Sequence, residues 1–303
     1  MTVREARIIL AADIARNIFP QNSFIRRAIN DDAFIVGSNV KLPQSGAIPA
    51  SKRNRSTYPV PVVLRQDTVI EYNIDEYSTD ASHIKYTDKL AATYDMSGNT
   101  TSDHAMVLMT KQAEGVAYNW APSAAGNIVR TTGADRAAIA KNATGTRKTI
   151  QGVNILALKR KMDNADIPEE GRILLLPSDM LNDLLAENDL LGSWELGQRL
   201  KALGALQQLY NFEIMMRSSA LRYTTGLVRV DTAADTPTLA ATDHAGALAW
   251  HPQFVRSAVA GVKTFIDLDN PVYQGDLFSA ISYLGASVRY EDRRGVYGIV
   301  EQA

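Results

Sequence analysis

The chain has 303 residues, 46% hydrophobic and 21% charged, which suits one large core or two moderate ones and excludes a disordered chain. Its formal net charge of −1 leaves no global positive field to hold nucleic acid or an anionic membrane. It contains no cysteine, which excludes disulfides, thiolate zinc sites, iron–sulfur clusters and cysteine nucleophiles together.

Near the N-terminus, Ile8, Ile9, Ala12, Ala15 and Phe19 recur at helical spacing and predict a short amphipathic helix. Asp13 and Arg16 interrupt the apolar core that a signal peptide needs. No apolar run approaches the roughly 20 residues that span a bilayer, so a soluble protein is expected.

From Phe34 to Ile74 the pattern has period two. Phe34, Val36, Val40 and Leu42 alternate with Ile35, Gly37, Asn39 and Lys41, and Val60, Val62, Leu64, Thr68, Ile70, Tyr72 and Ile74 keep one parity, interrupted only by Gln66, so strands are predicted on both sides. Between them, Pro43 to Pro59 is rich in turn formers. Two strands joined by so long a polar excursion describe an extended hairpin arm, and an isolated ribbon is only marginally stable unless it lies on something.

A helix is predicted next, with Thr101, Ser102 and Asp103 as N-cap candidates, a stripe of Met106, Met109, Ala113, Val116 or Ala117, and Trp120, and a stop at Pro122. Residues 121–147 read as a loop or hinge. Beyond it, Ile150, Val153, Leu156 and Ala157 predict a helix face, RILLL (Arg172 to Leu176) a buried strand, and Leu181, Leu184 and Leu185 a second helix starting at Pro177. With a strand at Phe212 to Met216, this makes a mixed α/β unit. After an Ala/Thr/Asp-rich break at Asp231 to Asp243 come strands at Leu248 to Trp250 and Gly261 to Asp267, then a closing hairpin, SVRY-EDRRG-VYGIV, turning at Gly295.

The chemistry is sparse. The four histidines, His83, His104, His244 and His251, form no HExxH and no i, i+4 pair. There is no GxSxG elbow, GxxxxGK phosphate loop or GxGxxG. Glu169 and Glu170 fall in a polar turn, and Asp75, Glu76 and Asp80 lack the spacing of a calcium loop. No catalytic, cofactor or metal residue is assigned, and no enzymatic activity is expected.

One charge feature stands out. From Ala33 to Gln66 there is no acid, while Lys41, Lys52, Arg53, Arg55 and Arg65 are basic; from Asp67 to Asp80 the sign reverses, with Asp67, Glu71, Asp75, Glu76 and Asp80. One reading is a solvated loop beside a solvated strand. The other is a basic arm tip made to meet an acidic surface on another subunit, with Lys52, Arg53, Arg55, Asp67, Glu71 and Asp75 as candidate contact residues.

In order and style the chain resembles the major capsid proteins of tailed bacteriophages, which have the Hong Kong 97-type fold. Gly37 to Asp75 resembles their E-loop and His104 to Trp120 their spine helix. Thr149 to Leu185, with IPEEGR and RILLLPSDM, resembles the axial domain, LYNFEIMMRSSAL the segment that follows, and ALAWHPQFVRSAV and YLGASVRYEDRRGVYGIV the return strands. The resemblance implies an α+β fold with an N-terminal arm (1–33), an E-loop hairpin (34–76), a peripheral domain with the spine helix (77–130 and 244–303) and an inserted axial domain (131–243). It implies self-assembly into hexamers and pentamers of an icosahedral shell around double-stranded DNA, in the virion after assembly in the host bacterial cytoplasm. Scaffolding, portal and decoration proteins are the further partners it suggests, with packaged DNA nearby, no membrane and no cofactor. Because the chain starts directly with a short arm, a separate scaffolding protein is expected. Some family members cross-link subunits through Lys and Asn; nothing beside Lys52 identifies a catalytic acid, and that activity is not carried over. A bacterial nanocompartment (encapsulin-like) shell protein and a soluble α/β enzyme with a dispersed site remain open as alternatives.

Overall fold

The computed structural model describes residues 20–44, 51, 53–56, 58–60, 62, 68–91, 96–187, 208–290 and 292–303. The amphipathic segment expected at Ile8 to Phe19, together with Lys52, Leu64, Arg65 and Asp67, lies outside the described residues.

A 3-10 turn, Pro20–Arg26, leads into β1 (Ile29–Asn30). Next come β2 (Ile35–Val36), β3 (Asn39–Gln44) and β4 (Thr68–Asn73), which form a sheet of their own. Val40, Leu42 and Tyr72 are buried as the alternation predicts, but Phe34 and Val36 are exposed. The left-handed Gly37 turns the chain between β2 and β3, so the parity does not run through it.

β5 (Asp75–Ser78) and β6 (Ser82–Lys85) precede two helices, α1 (Tyr86–Ala91) and α2 (Met96–Trp120). α2 has 25 residues, about 37 Å at 1.5 Å per residue, and starts ahead of the expected caps at Thr101 to Asp103. Ala113, Val116, Ala117 and Trp120 are buried on its predicted stripe. Gly115 is required here: a Cβ at this point would collide with the Tyr77 hydroxyl of β5.

The expected loop at 121–147 carries structure. It contains β7 (Ile128–Arg130), which joins a large sheet, and a small ribbon of β8 (Asp135–Ala137) and β9 (Thr146–Lys148). α3 (Gly152–Asn164) buries Asn154, Ile155, Leu158 and Met162, not Val153, which is exposed. A capping box between Gln151 and Asn154 closes its first turn, and Ile155, Leu158 and Met162 pack into the core under the large sheet. β10 (Arg172–Pro177) and α4 (Ser178–Ala186) fall where predicted. Buried Arg172 closes the turn before β10 by donating to Asp163 Oδ1 at 2.6 Å and to the Ile167 and Pro168 carbonyls.

The remaining strands are β11 (Gln208–Leu209), β12 (Phe212–Arg217), β13 (Leu221–Tyr223), β14 (His244–Trp250), β15 (Val255–Asn270), β16 (Gly275–Val288) and β17 (Val296–Val300). Two sheets organise them. The seven-stranded sheet runs β11-β12-β10-β14-β17-β7, with β13 also on β14. The five-stranded sheet is built on the long β15–β16 ribbon, flanked by β1, β5 and β6.

The closing hairpin is therefore a correction. β16 pairs with β15 and β17 pairs with β14 and β7, so the turn at Gly295 passes the chain from one sheet to the other. β14 and β17 complete the same sheet as β10, because fully apolar β10 needs a partner on both sides.

Period-two alternation gives the large sheet two cores. Ile173, Leu175, Leu248, Trp250, Val296 and Val300 face α2, while Leu174, Leu176, Ala247 and Ile299 face α3 and α4. At its other end α2 lays Ala105 and Leu108 on the ribbon with Ile266, Phe278 and Ala280. The cores meet at an aromatic cluster: Phe24 and Trp120 centroids are 6.0 Å apart, Phe24 and Trp250 6.0 Å, and the two indoles 5.6 Å. Both indole N–H groups are satisfied, Trp120 donating to the Arg256 carbonyl at 3.1 Å and Trp250 to the Arg27 carbonyl at 3.0 Å.

His244, on β14, is 1% exposed and its ring nitrogens meet no hydrogen-bond partner among the described residues. Burial first, then nearby Arg147 and Arg130, lower its pKa from 6.5 to about 4, against the opposite pull of Asp243. Such a group stabilises the fold fully above its unfolded pKa and loses that contribution as pH falls through 6.5 towards 4; the gap corresponds to about 3 kcal/mol. Urea unfolding of the unassembled protein should show this acid loss, and His244→Gln should flatten the curve between pH 6.5 and 4. An unchanged pH slope in the variant would assign the acid sensitivity to other groups.

Candidate functional site

β3 and β4 belong to a sheet separate from the two large ones, and the two strands carry opposite charge. β3 and β4 place Lys41 opposite Glu71, with Lys41 Nζ 2.9 Å from the carboxylate. The pair is half exposed and contributes about 0–1 kcal/mol. Glu71 is thus engaged within its own hairpin. Asp75, at the base, accepts a long 3.5 Å hydrogen bond from Asn119 of α2, and burial raises its carboxyl pKa.

Towards the tip, Arg53 is exposed and Arg55 half-buried around Asn54, which takes a positive φ of 52°. Among the described residues, no ion pair joins either arginine to Glu71 or Asp75. Apolar groups on the arm also face solvent: Val62 is 96% exposed, and Tyr58, Val60 and Val69 are exposed too.

The base of the arm is held by a triad that no local pattern marks. Tyr72 Oη donates to Asp31 Oδ2 at 3.1 Å, and Arg256 Nη1 donates to Asp31 Oδ1 at 2.8 Å. Asp31 is buried, and burial raises its pKa despite both partners. The next residue, Asp32, accepts from the Val259 amide at 2.7 Å. Around these groups Val40, Leu42, Tyr72 and Ala258 form a small core. The triad residues stand 41 and 225 positions apart, so spacing could not reveal them.

α2 has its own fastenings. Gln112 donates to Ser282 Oγ at 2.6 Å, and buried Arg217 ties Asn22 Oδ1 to the Thr110 and Ser219 carbonyls. At the helix C-terminus, Arg229 donates to the Tyr118 carbonyl and Arg293 to those of Asn119 and Ala121, placing two cations where the helix dipole is negative.

The other candidates do not converge. His104 Nδ1 lies 2.8 Å from Thr79 Oγ1, His251 Nε2 2.9 Å from the Glu170 carbonyl, and exposed His83 packs on Tyr273. Glu169 pairs with Lys159 at 2.8 Å. Among the described residues no group of His, Asp and Glu is placed to hold a metal. A cavity of about 200 Å³ between α2 and the loop before β14 is lined by Lys111, which pairs with Glu114 and the Thr232 carbonyl, by Arg222, which pairs with Asp243 at 2.7 Å, and by exposed Lys141.

Removing the Tyr72 hydroxyl leaves a buried carboxylate oxygen without its donor, a loss of about 1.5–3 kcal/mol for a bond to a charged group. Tyr72→Phe should therefore speed hydrogen exchange in β3 and β4 while leaving β10 and β12 protected. Equal acceleration in both regions would show that the triad holds the whole fold and not the arm.

No protein-family model matches the sequence, and no curated protein matches it. Solved structures do. The capsid structure of cyanophage P-SCSP1u superposes with a TM-score of 0.63 at 14% identity, over 90% of this chain and 86% of that one. The capsid of Ralstonia phage GP4 gives 0.61 at 12% identity, over 95% and 92%. The capsid of a native GTA particle gives 0.62 at 12% identity, again over 95% and 92%. Across nine-tenths of its length, the chain has the mixed α+β fold of these capsid chains.

Proposed function

We propose that the chain is the major capsid protein of a tailed bacteriophage, a structural subunit without catalytic function that self-assembles into hexamers and pentamers of an icosahedral shell enclosing double-stranded DNA. The observation that carries this is the near full-length likeness to capsid chains from several particles. The arm supports it: a ribbon with exposed valines and a basic tip makes sense when each copy lies on a neighbour. In this reading residues 1–33 are the N-terminal arm, 34–76 the E-loop, 77–130 and 244–303 the peripheral domain with α2 as its spine helix, and 131–243 the inserted axial domain. The shell is assembled in the host cytoplasm and becomes the virion wall, with scaffolding, portal and decoration proteins as further partners.

Purified protein should form rings or closed shells by electron microscopy and light scattering, through interfaces burying about 2,000 Å² or more. A strict monomer at every concentration and salt, with the scaffolding protein present, would overturn the assignment.

The arm tip gives a finer test. Lys52, Arg53 and Arg55 supply the positive charge, and Asp67, Glu71 and Asp75 are acids of suitable sign on a neighbouring copy, although Glu71 would have to exchange Lys41 for a new partner. Each exposed pair is worth only about 0–1 kcal/mol, but a shell repeats it at every subunit. Arg53→Glu with Arg55→Glu should leave the circular dichroism spectrum unchanged and block assembly at low salt. Added salt should partly relieve the block, since charges are screened over about 8–10 Å. Normal assembly of the double variant at low salt would mean that backbone pairing or apolar contact holds the arm.

A further inference from the structure

We infer that the open face of the β15–β16 ribbon is a self-complementary contact, on which a second copy of this chain packs across a two-fold axis. The inference rests on the shell reading. Subunits within a ring are joined head to tail, whereas rings that tile a closed surface meet one another across two-fold axes, where each surface patch must fit its own copy.

Alternation assigns the two faces of the ribbon. Ile266, Phe278 and Ala280 point to Ala105 and Leu108 of α2. Lys263, Phe265 and Asp267 on β15, with Leu277, Ser279 and Ile281 on β16, therefore point the other way. Phe265 is 48% exposed, Lys263 and Asp267 are exposed, and Leu277 and Ile281 are half-buried. None of these residues belongs to a core formed among the described residues. Neither Lys263 nor Asp267 forms an ion pair there, Asp267 accepting instead from Asn270 Nδ2 at 2.6 Å.

The order of these groups says what covers them. Register places Lys263 beside Ile281, Phe265 beside Ser279 and Asp267 beside Leu277. The central row of Phe265 and Ser279 thus has a cation and an aliphatic side chain on one side, an acid and an aliphatic side chain on the other. A two-fold axis running along that row, between two such faces, sets Phe265 against its own copy. It brings Lys263 to the partner's Asp267 and Ile281 to the partner's Leu277, and symmetry supplies each contact twice. Opposite charges at equal spacing on either side of one aromatic ring are what an isologous contact needs, and a partner of another kind would have no use for that symmetry. Sheets packed face to face lie about 10 Å apart with their strands nearly aligned, a gap that these apolar side chains fill.

The absence of native cysteine makes the contact addressable by one substitution. Phe265→Cys places a single thiol on the axis, so its disulfide can only join two copies. Under mild oxidation of assembled protein it should give about tenfold more linked dimer than Val153→Cys, at an exposed site on α3, because sulfurs bridge only when their Cβ atoms approach within about 4.5 Å. Equal yields, or no dimer from Phe265→Cys, would overturn the inference. Charge reversal tests the pairing itself. Lys263→Asp alone and Asp267→Lys alone each make both ion pairs repulsive, and should cut the yield of closed shells about tenfold while rings still form. The chain carrying both changes restores opposite signs across the axis and should recover shells. Shells unaffected by the single changes, rings lost together with shells, or no recovery in the double variant would each sink the contact and leave the shell reading standing. A parent chain that forms neither rings nor shells would remove that reading, and the Phe265→Cys yield in concentrated protein would still decide the contact.

Discussion

The fold depends on the packing of Phe24, Trp120 and Trp250. These rings come from the segment after Pro20, from the C-terminal end of α2 and from the central strand β14, and they meet within about 6 Å of one another. Each indole N–H is spent on a carbonyl of a further element, so the cluster fixes directions as well as burying area. Because α2 reaches from this cluster to the ribbon core around Leu108 and Phe278, one helix sets the relation between the two sheets.

The arm is attached to this frame differently. Its base rests on one small core and on Asp31, whose two carboxylate oxygens are shared between Tyr72 and Arg256. A charge-assisted bond is strong and directional, so the triad fixes the angle at which the ribbon departs. Further out, the contacts within the chain are weak: a half-exposed Lys41–Glu71 pair and valines facing water. Among the described residues, the arm is tied most strongly at its base.

Much of this was legible in the sequence, for reasons that can be named. RILLL suited a buried strand and is one, while the stripe read as core-facing is buried from Ala113 to Trp120 but leaves Met106 exposed. The order of arm, helix, α/β unit and return strands carried the family resemblance. What failed involved long-range partners. SVRY and VYGIV looked like a hairpin because a glycine turn lies between them, yet pairing is decided by which edge is free, and β14 offered one to β17. Val153 fits a helix face by spacing, but α3 packs Ile155, Leu158 and Met162 against the sheet and leaves Val153 exposed. The triad at the base of the arm, and Arg217 beside Asn22, join positions up to 225 apart, and a single sequence gives no signal for such meetings.

The position of β17 has a consequence for how the chain acquires its shape. It lies between β14 and β7 in the interior of the seven-stranded sheet, although it follows every other strand in the sequence. Its partner Ile128 pairs with Gly298, so the sheet closes across most of the chain. Contacts of such separation form slowly, and until they form, the edges of β14 and β7 are bare. During synthesis from the N-terminus, α2 and β10 emerge well before the strand that seals them. A chain stalled short of Val296 would expose open strand edges and half of an aromatic core, and it would depend on chaperones to stay out of aggregates. Completion of the sheet is therefore a natural checkpoint: a subunit presents its finished surfaces only after its last strand has gone into the middle.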